Sequence, residues 1–143
     1  MTETPAVRSI VVGVDGSDSA IAALRWAAKQ AELTGASLKV LTAWQYPMAY
    51  GAALGGLDDY DPASTAAEIL AETVTKADIK LPVETEVAPG SSAALLVEAS
   101  AGADLLVVGR RGHGELLDLA LGSVSAYVVA HAHCPVVVVH QAD

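Results

Sequence analysis

The clearest chemistry in this sequence sits in one late stretch, GRRGHGELLDLALGSVS, from Gly109 to Ser125. Its glycines stand at Gly109, Gly112, Gly114 and Gly122, and the last is followed by Ser123, Val124 and Ser125. The apolar run Leu105 to Val108 leads into it. A buried strand feeding a glycine-rich loop, with a helix starting at a Gly-Ser step, outlines a phosphate cradle. Glycine lets main-chain N–H groups approach an anion with no Cβ in the way. A helix starting near Ser123 adds unpaired N–H donors and the positive end of its dipole. The hydroxyls of Ser123 and Ser125 suit a helix cap, phosphate oxygens, or both. Arg110 and Arg111 bring positive charge into the loop. For them, as for His113, a solvated surface position is an open alternative.

A second group stands at the end of the first apolar run, VVGVDGS. There Asp15 offers a carboxylate at a strand end, where a ribose hydroxyl needs an acceptor. The competing reading is a turn cap shared with Gly16 and Ser17. The glycine spacing is neither a Walker A loop, since no Lys-Ser or Lys-Thr follows, nor a GxGxxG after the first strand.

Gly109, two residues, Gly112, nine residues and Gly122-Ser123 is a spacing that resembles the ATP-binding motif of the universal stress protein family. The resemblance extends to VVGVDGS at one end and CPVVVV at the other, nearly the whole chain. It implies a three-layer α/β/α, Rossmann-like fold with a five-stranded parallel sheet in the order 3-2-1-4-5. It also implies a bound ATP or other adenine nucleotide, with or without Mg. In that family the positions of Gly13 and Val14 line the pocket with main chain, and that of Asp15 contacts the nucleoside. The position of Ala43 meets adenine, and Val108 would pack near the base. Gly109, Gly112, Gly122, Ser123, Val124 and Ser125 are the implied phosphate positions, with Gly114 and Arg110 as supporting ones. The resemblance points to a homodimer through the last strand, Val136 to Val139.

The elements needed to position these residues are legible in order. Ser9 to Val14 is apolar on successive positions, as in a parallel strand buried on both faces. Ser17 or Asp18 then caps a helix to Leu33, with Ile21, Leu24, Ala28 and Ala31 at helical spacing and Gly35 as its stop. Ser37 to Ala43 is a second strand. The stretch from Trp44 to Asp61 has no periodicity and reads as a loop or a lid. Asp61-Pro62 opens a helix to Ala77, carrying Ala66, Ile69, Leu70 and Val74 on one side. Val83 to Ala88 alternates Val83, Thr85 and Val87 against Glu84 and Glu86, which predicts a half-exposed edge strand. A helix through Leu95, Leu96 and Ala99, a strand Asp104 to Val108, a short helical piece at Leu116 to Ala120, a helix from Ser123 to Ala130 and a strand Val136 to His140 complete the chain. Strands alternating with helices predict a parallel sheet with right-handed crossovers. Ligands in such sheets bind beyond the strands' carboxyl ends where strand order reverses. One crevice then holds both Asp15 and Gly109.

Composition narrows the function classes. The 143 residues suit a single domain over 1–143, and 52% hydrophobic residues can cover both faces of a sheet. With 8 basic against 17 acidic residues the formal charge is −9, which argues against nucleic acid and anionic membrane as partners. No apolar stretch approaches the roughly 18 residues of a membrane span. With no leader pattern at MTETPAVRS, the expected location is cytoplasmic. The single Cys134 rules out an internal disulfide and reads as a small buried residue. His131 and His133 suggest a metal pair by spacing, but a role at the helix end accounts for them without a metal. No activated nucleophile or general base stands out, so a binding module that regulates, rather than an enzyme, is expected, with at most slow ATP hydrolysis. An ATP-using enzyme is the alternative, as is an interaction protein of this fold without nucleotide.

Overall fold

The computed structural model describes residues 7–45, 61–110 and 121–140. Its strands are β1 (Ser9–Gly13), β2 (Ser37–Trp44), β3 (Glu84–Pro89), β4 (Leu105–Gly109) and β5 (Val136–Val139). Between them lie α1 (Asp18–Thr34), α2 (Pro62–Ala77), α3 (Ser92–Ser100) and α4 (Ser123–His131). The sheet runs β3-β2-β1-β4-β5 and every pair is parallel, as the α/β alternation predicts. Chain order reverses between β1 and β4, so a crevice opens beyond their carboxyl ends.

The central strands β1 and β4 are buried along their middle residues, consistent with their unbroken apolar runs. One face of the sheet packs Ile10, Val12, Val40 and Val107 under α1 and α2. The other packs Val11, Leu41, Leu106 and Val108 with Leu96 of α3 and Val128 of α4. Helix α1 presents Ala20, Ala23, Ala27, Ala28 and Ala31 to the first face around Leu24. Small side chains let its backbone lie close to the sheet. Ser17, rather than Asp18, is the N-cap, accepting from Ala20 N–H at 3.1 Å, and Gly35 closes the helix at φ 76°. Asp61 caps α2 and Ser91 caps α3 in the same manner.

The edge strand differs in detail from its sequence pattern. β3 starts at Glu84, leaving Val83 outside, and Thr85 is exposed while Ala88 is the buried residue. Its exposed Glu84 and Glu86 instead flank Lys39 of β2, an ion-pair set that charges this edge against further strand pairing. Residue Asp104, read as part of the fourth strand, lies just before it. Its carboxylate accepts the N–H groups of Arg8 at 2.9 Å and Ser9 at 3.1 Å, fastening the start of β1 to β4. The proposed helical piece at 116–120 and nearly all of the aperiodic stretch lie outside the described residues, although Trp44 ends β2 and Asp61 caps α2.

Candidate functional site

The turn after β1 explains why Asp and Gly occur together there. Gly16 sits at φ 88°, a left-handed conformation that side chains disfavour. The Asp15 carboxylate accepts the N–H of Ser17 at 3.0 Å, so the turn-cap reading of Asp15 is correct. A carboxylate has several lone-pair sites, and a ribose hydroxyl could share this one. Val14 is less available than supposed. Its N–H donates to Leu41 O at 3.0 Å, and its carbonyl accepts from Thr42 Oγ1 at 3.2 Å.

That substitution by Thr42 has a consequence at Ala43. Along a parallel strand, alternate residues turn their N–H and C=O to opposite neighbours. Leu41 O receives Val14 N–H on the β1 side, and Trp44 O receives Gly90 N–H at 2.8 Å on the β3 side. Ala43 therefore faces the β1 side. The last register pair there is Gly13 with Leu41, and no further rung forms among the described residues. A main-chain donor and acceptor are thus presented side by side to the crevice.

On the far side of the crevice, β4 hands over to α4. Gly122 N–H donates to Arg110 O at 2.8 Å, closing the base of the glycine loop. Helix α4's own ladder begins with Ala126 N–H on Gly122 O at 2.9 Å, so it does not use the N–H groups of residues 123–125. These lie at the positive end of the helix dipole. Two expectations need correction. Gly122 is the N-cap residue, so neither serine hydroxyl caps α4. Ser125 Oγ is turned inward, buried, and donates to the carbonyl of Gly109, which leaves only its N–H for an anion. Gly109 also permits a close approach of protein: a Cβ there would meet the backbone of Ser19 in α1 at 2.8 Å.

These pieces surround a cleft with about 500 Å3 of non-atom space, part of it open to solvent. It is lined by Gly13, Val14, Asp15, Ala43, Val108, Gly109, Val124 and Ser125, all singled out in the sequence. Arg110, Gly122 and Ser123 stand beside it at the closed loop base and do not line it. Gly112 and Gly114, with Arg111 and His113, lie outside the described residues. Sequence reasoning missed Ser17, Ala20, Leu41, Ser92, Leu95 and Leu96. The helix cap gave a signal for Ser17, which starts the helix after β1, whereas the cap of α3 is the neighbouring Ser91. Gly13 belongs with Leu96, because a Cβ on Gly13 would come within 2.7 Å of that side chain. The cleft therefore has an apolar wall of Leu41, Leu95, Leu96 and Val108 and a polar end at α4.

His131 is the last residue of α4, and His133 lies just beyond that helix with its N–H on Ser100 Oγ. His131 stacks on Tyr127 with ring centroids 4.1 Å apart, and its Nδ1 lies 2.8 Å from Tyr127 O. Among the described residues no group of three or more His, Cys, Asp or Glu is placed to hold a metal ion. Nor, among them, is any helix long and apolar enough to cross a membrane.

Comparison with known proteins bears on this arrangement. The chain is 34% identical over 145 residues to the Mycobacterium tuberculosis universal stress protein Rv2623, covering 94% of this chain and 48% of that one. It spans about half the length of the curated relatives it matches. Among solved structures, universal stress protein UspA of Lactobacillus plantarum superposes with a TM-score of 0.78 at 27% identity, over 95% of this chain and 99% of that one. A universal stress protein in complex with cAMP superposes with a TM-score of 0.68 at 31% identity, over 96% and 100% of the two chains. The sequence model of the universal stress protein family matches residues 6–140, so this chain belongs to that family.

Proposed function

We propose that this protein binds an adenine nucleotide, ATP foremost, in the cleft between β1 and β4, and that binding regulates a dimeric module. The observation that carries the reading is the pairing of Ala43's exposed main-chain donor and acceptor with the α4 N-terminus across one cleft. An adenine edge suits the first and a phosphate the second, with Asp15 between them near a ribose. The apolar wall of leucines suits a flat base. The similar protein crystallised with cAMP supports an adenine nucleotide as ligand class. Mg would accompany the phosphates rather than sit in a protein cage, since nothing in the described cleft besides Asp15 offers a carboxylate.

Binding is the purpose in this reading, and turnover at most a slow accompaniment. Hydrolysis needs a positioned water and charge stabilisation at the γ-phosphate. Of the lining hydroxyls, those of Ser17 and Ser125 are already engaged in structure, and among the described residues no lysine or arginine lines the cleft. The second protomer pairs through β5, whose four valines are each half-buried at the sheet edge. An apolar edge strand is a liability that a two-fold partner removes. Native mass spectrometry of the purified protein tests both parts together. A dimer carrying the mass of an adenine nucleotide is expected; a bare monomer that stays bare after incubation with ATP would overturn both.

A further inference from the structure

We infer that Ser92 reads the base of the bound nucleotide, its hydroxyl bonding the edge of the purine. This inference rests on the adenine-nucleotide reading. Three serines line the cleft: Ser17, Ser92 and Ser125. Ser17 Oγ accepts from Ala20 N–H, and Ser125 Oγ donates to Gly109 O. The cap of α3 is Ser91, accepting from Ala94 N–H at 3.2 Å, so Ser92 is not needed to start its helix. Among the described residues the Ser92 hydroxyl has no hydrogen-bond partner. It is half-buried, with Leu95 and Leu96 of its own helix on the same wall.

Position decides which part of a nucleotide it meets. Gly90 N–H on Trp44 O holds the β3–α3 turn to the end of β2, beside Ala43. The α4 N-terminus follows β4, and β1 separates β4 from β2. Neighbouring strands lie about 4.8 Å apart, so the Ala43 and Gly109 ends are roughly 10 Å apart across the sheet. A ligand with its phosphate at Val124 and Ser125 therefore extends its base toward Ala43 and Ser92. Ala43 supplies one main-chain donor and one acceptor. A serine hydroxyl both donates and accepts, so it can bond a further ring nitrogen or amine on the base. Enclosing that hydroxyl in an apolar wall without such a bond would be unfavourable.

The test compares the wild-type chain, freed of carried-over nucleotide, with Ser92→Ala, Ser92→Thr and Ser92→Cys. Titration calorimetry is run with AMP and with ribose 5-phosphate, which has no base. Circular dichroism confirms that each variant is folded. Ser92→Ala should weaken AMP about 3- to 10-fold, the usual worth of one neutral hydrogen bond, and leave ribose 5-phosphate unchanged. Ser92→Thr should keep AMP affinity, and Ser92→Cys, similar in size but a weak donor, should lose it. Unchanged AMP affinity in Ser92→Ala overturns the assignment, as does an equal loss for both ligands, which would place the hydroxyl on the sugar-phosphate. A wild-type chain that binds no adenine nucleotide fails the underlying reading instead, a result visible before any variant is made.

Discussion

A Cβ on Gly109 would lie 2.8 Å from both the carbonyl carbon and the carbonyl oxygen of Ser19. The last residue of β4 is therefore glycine because α1 runs against it, and Ala20, Ala23 and Ala27 continue that close contact down the helix. Backbone cannot swing aside as a side-chain tip can. Gly109→Ala should destabilise the fold by about 1–3 kcal/mol, the range for overpacking a close-packed contact. Urea unfolding measures it through the midpoint; an unchanged midpoint would return Gly109 to a ligand-only role.

Ser125 ties the start of α4 to the end of β4 through its hydroxyl on Gly109 O. Ser125→Ala removes the donor and leaves that carbonyl without it, for a loss of about 1–2 kcal/mol. The main-chain N–H of residue 125 remains, so nucleotide affinity should fall far less than stability does. Parallel unfolding and binding measurements separate the two. A large affinity loss at unchanged stability would make the hydroxyl a phosphate ligand after all.

The sequence pattern was sufficient for the alternation of strands and helices and for helix caps, because these rest on local rules, whereas the strand order came from the family resemblance. Ser17 and Asp61 are cap residues, Gly35 is a left-handed stop, and two unbroken apolar runs mark the central strands. What escaped it depends on partners distant in the chain. No spacing rule reveals that Gly109 faces Ser19, that Ser125 points inward, or that Thr42 takes the Val14 carbonyl. Ser92 was hidden for the same reason: its relevance comes from β3 lying beside β2, which brings α3 over the cleft. The alternation read in 83–88 marked the edge strand correctly, but Thr85 is exposed and burial on β3 is confined to Val87 and Ala88.

At the other edge, the register separates two substitutions that look alike in sequence. Pro135 O receives Leu106 N–H and Val139 O receives Arg110 N–H, each at 3.0 Å. By alternation Val137 also bonds β4, while Val136 and Val138 turn their N–H and C=O to the open edge. Val138→Pro should therefore dissociate a β5-paired dimer while the monomer stays folded, because proline is tolerated where the N–H faces outward. Val137→Pro should destabilise the fold itself by removing a ladder donor. Sedimentation at micromolar concentration with circular dichroism reads both. A Val138→Pro variant that remains a dimer, or a wild type that is a monomer, rules this interface out.

Burial pushes the Cys134 thiol pKa up, and the nearby Asp104 carboxylate adds to the shift. Both disfavour thiolate, so the folded state prefers the neutral thiol. The sign follows: this contribution to stability is intact at neutral pH and fades as pH rises through the raised pKa. Alkylation by iodoacetamide at pH 8 should be slower in the folded protein than in urea, since thiolate is the reactive form. Equal rates in the two states would show an unshifted, accessible thiol.

The measurement closest to the central claim is calorimetric titration of nucleotide-free, folded protein with ATP, ADP, AMP and cAMP. A cleft that joins Ala43's main chain to the α4 N-terminus predicts a dissociation constant in the micromolar range for at least one of them, about −8 kcal/mol. Gly122→Val should weaken that binding strongly. Gly122 has φ −70° and ψ 167°, which valine can adopt, so a folded variant is expected, with added bulk at the loop base beside the phosphate end. Heat with at least one nucleotide in the wild type and its loss in the folded variant is the predicted result. Silence with all four nucleotides would contradict the account and leave a protein of this fold that works through its surfaces alone.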